Sequence, residues 1–343
     1  MSAPPAERPR LLHRALPALL ACAAALPLRA EVTGEQVKRA IEKGVSAVRR
    51  MQRADGTWVG QWEPGYRGGE TCLAALALLQ AGEPADSPPL AAAISYIRGL
   101  PDERVYVVAL KIMVLARADP KGYRRELEAA TRWLISAQDG SGLWSYQPNQ
   151  DRFDHSNTQF ALLGLHEAAQ AGIKISSNVW RNAQAGVLRT QTEDGGWTYQ
   201  TRDASYGSMT AAGVADLLIL GQRLYAVQGT RAGGRPKCGS YRSSRPLANG
   251  MNWLGRHFRA DGNPRRGSQY TLYWLYAVER CGMLSGQRYF GQHDWYRAGA
   301  EYLVRSQRAD GTWNGQLVDT LSLIHISEPT RLLSISYAVF CLK

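Results

Sequence analysis

A glutamine and a tryptophan separated by five residues, with a glycine two places before the tryptophan, recur four times in this chain. The copies are Gln52/Gly56/Trp58, Gln138/Gly142/Trp144, Gln191/Gly195/Trp197 and Gln307/Gly311/Trp313. The first and last are the same heptapeptide, QRADGTW. Such a repeat constrains the fold before any other property does, because each unit buries its apolar face only by stacking on its neighbours. The context repeats as well. A small residue stands eight places before each glutamine (Gly44, Ala130, Ala183, Gly299) and an aliphatic one four places before (Val48, Leu134, Val187, Leu303). That spacing is one face of a helix ending at the glutamine. A glycine-containing turn and a second, apolar helix come next, so the unit is a helix pair.

Two degraded copies make the spacing nearly even. Gly250, Trp253 and Leu254 keep the helix positions, but Phe258 replaces the glutamine and Pro264 the tryptophan. Ala93, Tyr96 and Ile97 mark the other copy before Pro101, again without glutamine or tryptophan. Six pairs result, over 35–82, 88–118, 126–172, 177–226, 248–283 and from 295 onward. The first helix of a pair is charged on one side, as in RRELEAATRWLISAQ; the second is apolar nearly all round, as in VYVVALKIMVLA. Helices of the second kind are buried. The expected fold is all-α, with charged helices outside and apolar ones inside. Thr71, Thr158, Thr210, Thr271 and Thr320 stand at inner-helix starts, where threonine suits an N-cap.

The ends carry different signals. Residues 1–30 combine Arg8, Arg10 and Arg14 with an apolar run of about fourteen residues, shorter than the roughly 20 that span a bilayer, and end in Arg29-Ala30. This reads as a secretory signal peptide cleaved near Ala30; an uncleaved anchor, or a lipoprotein tether at Cys22, is the alternative. Residues 321–343 read as a translated sequencing-library adapter, from Leu321 to Arg331 and from Ile335 to Lys343. On that reading the repeat domain is 31–320, its last inner helix is missing, and the ring is left unclosed.

The formal charge of +12 is compatible with several anionic partners and diagnostic of none. Part of it lies in loop 228–246, with Arg231, Arg235, Lys237, Arg242 and Arg245. This loop is a solvated linker or a contact for an anionic envelope surface. Cys72, Cys238 and Cys281 show no paired spacing, and no zinc motif is present. No metal, cofactor, nucleic acid or transmembrane span of the mature chain is expected.

The glutamine–tryptophan repeat resembles the QW repeat of terpenoid cyclases, within the squalene cyclase and protein prenyltransferase superfamily. The resemblance covers nearly all of residues 35–320. It implies an α6/α6 toroid, with inner-helix N-termini around one mouth of a central cavity. It also implies that Gln52, Trp58, Gln138, Trp144, Gln191, Trp197, Gln307 and Trp313 are structural. Squalene-type cyclases protonate their substrate with Asp-x-Asp-Asp-Thr. The matching stretch here, Asp154-His155-Ser156-Asn157-Thr158, has serine where that acid stands. Protonating an alkene needs a strong, tuned Brønsted acid, which a hydroxyl is not. The prenyltransferase zinc ligands have no counterparts, nor does the thioester motif of complement-like toroids.

The mouth is expected to present Glu70, Asp154, His155, Asn157, Tyr206, Ser208, Gln269, Tyr270 and Asp319 above a cavity with Tyr273, Trp274 and Tyr276. Candidate acids and bases are Asp154, His155, Glu70 and Asp319. Candidate ligand contacts are Asn157, Tyr206, Gln269, Tyr270, Tyr273 and Trp274. The expected function is an exported protein holding an isoprenoid-like or other apolar small molecule or lipid, secreted or periplasmic. Alternatives are a non-enzymatic repeat scaffold and an envelope-glycan lyase or hydrolase using mouth carboxylates.

Overall fold

The computed structural model describes residues 1, 31–60, 63, 65–150, 152–200, 204–225 and 244–313. Contacts divide the chain into Met1–Glu31 and Val32–Lys343, and the repeat fold belongs to the second unit. Its described residues form eleven helices in strict alternation. Six are outer: α1 (Gly34–Met51), α3 (Pro88–Arg98), α5 (Arg124–Ser136), α7 (Ser177–Arg189), α9 (Arg245–His257) and α11 (Trp295–Ser306). Five are inner: α2 (Gly69–Gln80), α4 (Val105–Ala118), α6 (His155–Gln170), α8 (Gly207–Tyr225) and α10 (Thr271–Ser285). A short hairpin, β1 (Tyr289–Phe290) and β2 (His293–Asp294), links α10 to α11.

The inner helices pack side by side in the order α2, α4, α6, α8, α10. Against them lie the outer helices: α3 on α2 and α4, α5 on α4 and α6, and α7 and α9 on α8. The two layers follow from composition. The outer helices bury one stripe, for example Leu127, Ala130, Thr131 and Leu134 of α5. The inner helices are buried almost throughout, as helices apolar on every side must be. The fold is an α/α toroid, as expected.

Each intact turn satisfies its polar atoms in the same way. Gln138 Nε2 donates to Gly142 O at 2.8 Å and to Val179 O of the next outer helix at 3.1 Å. Gln52 does the same to Gly56 and Pro89, and Gln191 to Gly195 and Pro246. The indole N–H of Trp144 donates to Leu134 O at 2.8 Å, and Trp58, Trp197 and Trp313 find Val48, Val187 and Leu303 likewise. Glycine is required at the turn. Gly142 has φ +83°, and a Cβ there would lie 2.1 Å from Asn182 O, so both the backbone region and the close approach exclude a side chain.

One expectation is corrected. Thr71, Thr158 and Thr210 are not N-caps. They sit inside the first turn, and their hydroxyls accept from the backbone N–H of Trp58, Trp144 and Trp197 at 3.1 Å. The hydroxyl joins inner helix to preceding turn because that turn's N–H is buried and otherwise unmet. The outer layer is closed, while the expected absence of a sixth inner helix concerns residues outside the described ones. Gln307 Nε2 donates to Ala40 O of α1 at 2.8 Å, and Arg50 to Asp310 O at 2.7 Å. The closing contacts belong to the last QRADGTW turn, which is complete within the repeat region.

The degraded turns are held differently. In the second pair, the buried Lys111 of α4 donates to Leu100 O at 2.7 Å and pairs with Asp102 at 3.0 Å. In the fifth, Trp274 of α10 donates to Arg259 O at 2.8 Å and packs on Phe258, ring centroids 6.0 Å apart. An inner-helix side chain thus does what the turn's own residues do elsewhere.

Candidate functional site

The N-terminus of α6 organises the mouth of the inner ring. Asp154 is its N-cap: it accepts from Asn157 N at 2.8 Å, Ser156 Oγ at 2.7 Å and Asn157 Nδ2 at 2.9 Å. Burial raises its carboxyl above the ordinary carboxylate range even though these bonds pull the other way. His155 is enclosed beside Phe153, ring centroids 5.7 Å apart. Burial lowers its imidazole to about 4, so it is neutral near pH 7.

Tyrosines surround Asp154. Tyr146 and Tyr199 share a hydroxyl–hydroxyl bond, Tyr66 lies 5.9 Å from Tyr146, and Arg104 sits over the Tyr66 ring at 5.7 Å. Burial is the first cause that pushes the Tyr146 and Tyr199 hydroxyls up, and the Asp154 charge adds to it. Below them, aromatic rings from three inner helices converge. Phe160 of α6 lies 4.3 Å from Tyr106 of α4, and 6.5 and 6.0 Å from Tyr273 and Tyr276 of α10. Tyr273 donates to Gln159 Oε1 at 2.8 Å, so this bond joins α10 to α6 past the intervening α8. Tyr106 and Tyr273 are only half-buried although they stand on inner helices.

The opposite end of the inner ring is charged. Arg223 donates to His166 O at 2.7 Å, and Glu279 pairs with Arg280 at 2.5 Å. Burial raises the Glu167 carboxyl, opposed by Arg280, Arg117 and Arg223. Arginines in the last turns of α4 and α8 suit the carbonyl ends of those helices.

The expected site residues divide. Asp154, His155 and Asn157 meet at the α6 terminus, with Tyr273 beneath. Glu70 accepts from the Gly60 N–H and so ties down its own loop. Tyr206 is buried under Arg266, 4.4 Å from its ring centroid, and Ser208 is held by Asn263. Gln269 is exposed, and Tyr270 stands at the rim, 65% exposed. Trp274 faces the outer layer, not the interior, because its N–H is committed to Arg259 O. Asp319 and most of loop 228–246 lie outside the described residues. Sequence reasoning missed Tyr66, Tyr106, Tyr146, Tyr199, Gln159 and Asp216. The tyrosine two places after Trp144 and Trp197 is a readable signal for two of these; Asp216, a lone acid in an apolar helix, is another.

Among the described residues no group of side chains could hold a metal ion, and no helix is long and apolar enough to cross a membrane. Cys72 and Cys281 are free buried thiols.

No protein-family model matches the chain, and no curated protein matches it significantly. Solved structures do. The type II terpene cyclase MstE from Scytonema, in complex with geranylgeranyl dihydroxybenzoate, is 14% identical over 82% of this chain and 81% of its own, with a TM-score of 0.51. An α-1,6-mannanase from a Salegentibacter species is 11% identical over 88% and 99%, with a TM-score of 0.55. A protein from Actinoplanes is 16% identical over 85% and 99%, with a TM-score of 0.53. At these identities the likeness is one of fold, the α/α toroid.

Proposed function

We propose that the toroid takes up an apolar, isoprenoid-like molecule between the mouth at Asp154 and the aromatic wall beneath it, and does not carry out Asp-initiated cyclisation. One observation carries the reading: Tyr106, Phe160, Tyr273 and Tyr276 converge from three inner helices, and two of these rings keep accessible surface. Converging aromatic surface is what an apolar ligand buries against. The terpene cyclase likeness agrees with it. The negative half rests on Ser156 in the proton donor's place and on Asp154, whose oxygens are engaged by three donors. The leader-like residues 1–30 motivate export as part of the same proposal, checked by mass spectrometry of the mature N-terminus.

The test is titration of the full-length chain with a fluorescent apolar probe, displaced by unlabelled isoprenoids. Phe160→Ala and Tyr273→Ala should each weaken binding about tenfold, the scale of losing buried aromatic contact. Absence of binding overturns the reading in favour of a scaffold. Cleavage of α-1,6-linked mannan overturns it in favour of a glycan enzyme. Conversion of squalene to a cyclic product removes the negative half.

A further inference from the structure

An ion pair lies at the lower edge of the aromatic wall. Arg280 Nε and Nη2 donate to the two oxygens of Glu279 at 2.5 and 2.6 Å. Only 13% of the Arg280 side chain and 1% of the Glu279 side chain are exposed. Successive residues of a helix point to different sides, so this pairing turns the guanidinium back across α10. There it lies over the Tyr276 ring, 5.4 Å from its centroid. Tyr276 in turn faces Phe160, centroids 6.0 Å apart and planes within 11°. An enclosed ion pair adds little to stability, because desolvation offsets the attraction. Holding α10 together is therefore a poor account of it.

A guanidinium carries five N–H groups in a planar fork. Glu279 takes two of them along one edge, from Nε and Nη2. Among the described residues Nη1 meets no acceptor, and it is not enclosed. Glu167, the other carboxyl at this end, does not close that edge, since no ion pair joins it to Arg280. Arg280 stands four and seven residues after Tyr276 and Tyr273, on the α10 face that carries the wall. The open edge thus borders the aromatic surface.

We propose that the open edge of Arg280 is the polar anchor of the lumen and holds an uncharged carbonyl oxygen carried by the apolar ligand. The choice follows from charge and from the donor inventory. A guanidinium donates and never accepts, so an ammonium finds nothing on it. Glu279 already balances the Arg280 charge in a two-point contact. A ligand carboxylate would place a second anion on one guanidinium in a largely enclosed position, which is costly. A hydroxyl can accept from Arg280, but its own proton gains no partner there. A carbonyl oxygen accepts only, and leaves nothing unmet. The inference rests on the proposed apolar-ligand function and specifies the chemistry of that ligand as an apolar ketone or aldehyde.

The experiment titrates the full chain with geranylacetone, the alcohol made by reducing its carbonyl, the hydrocarbon lacking the oxygen, and the carboxylic acid of matching length. Geranylacetone should bind about tenfold tighter than the hydrocarbon, the scale of one hydrogen bond from a charged donor. The alcohol should fall between them, and the acid should bind no tighter than the hydrocarbon. Glu279→Leu with Arg280→Met, which removes both charges together, should erase the ketone's advantage over the hydrocarbon. Arg280→Lys keeps a cation for Glu279 but no second edge; it should erase most of that advantage and serves if the double variant does not fold. Glu279→Gln leaves the edge open and the charge unbalanced, so the ketone's advantage should persist while the acid gains about tenfold. Equal wild-type affinity for ketone and hydrocarbon overturns the site but leaves the apolar-ligand reading standing. A ketone advantage unchanged by the Arg280 substitutions, or a wild-type preference for the acid or the alcohol, also overturns it. Failure of every probe to bind defeats both proposals together.

Discussion

The repeat turns and the interior between α6, α8 and α10 are made by the same helix pairs, yet they treat polar groups in opposite ways. At a turn, one glutamine amide serves two carbonyls, one indole serves a third and one threonine hydroxyl meets the tryptophan N–H. In the interior, Gln159 meets one partner through its oxygen and none through its nitrogen, and Asp216 meets none. The turns fix the shape of the ring; the interior holds polar capacity that the fold does not consume. Stability and function should therefore separate by layer, and mutations in one should leave the other largely alone.

The strongest way to break that separation is Trp144→Ala. Trp144 is wholly buried and bonded to α5, so truncation should cost about 3–5 kcal/mol. Thermal denaturation should show a large fall in Tm, while protein that remains folded keeps its probe affinity; loss of affinity at unchanged Tm would refute the layered picture. Gln138→Leu comes next. It strands the Gly142 and Val179 carbonyls, for about 2 kcal/mol, again read as a fall in Tm without a change in binding.

Asp216→Leu should act in the other direction. Removing an enclosed, unpartnered carboxyl should raise the stability of the ligand-free protein by about 1 kcal/mol. The gain should grow with pH. An unfolded aspartate ionises near 3.8, whereas the folded Asp216 holds its proton well above that, so the wild type loses stability as pH rises past about 4. Denaturant titrations across that range check this, and a variant less stable than wild type at every pH would count against it.

The smallest effect concerns His155. Its imidazole takes a proton near 6.5 when unfolded and near about 4 when folded. Its contribution is complete above pH 6.5 and is lost as pH falls through that window, under about 1 kcal/mol by pH 6. His155→Leu should flatten the decline of Tm between pH 8 and pH 6. His166, lowered to about 3, stays in both proteins, so the difference belongs to His155.

The ring of helix pairs was legible because Gln138 and its counterparts terminate a helix and mark a turn in one stroke. Boundaries of the first five pairs agree with the helices to within a few residues. The mouth at Asp154 was legible from position alone, since the start of an inner helix must face one end of the ring. The interior was not. Tyr146 and Tyr199 lie in connections whose path depends on packing, and Trp274 reads as a lumen residue by spacing while its N–H is drawn outward by the degraded fifth turn. Asp216 escapes a sequence reading because a helix that is apolar on every side gives no hint of which neighbour each residue faces.

The stitch from Gln307 to Ala40 has a topological consequence. A linear stack of repeats has two terminal units, each needing a polar outer cap, and it can fray from either end. A stitched outer layer has no terminal unit: α1 and α11 are neighbours in space though they stand at opposite ends of the repeat array. Releasing any one turn converts a circle into an arc and frees its two flanking pairs at once. Unfolding should accordingly be shared around the whole circumference, and a chain re-cut at another turn, with its old ends joined, should rebuild the same circle.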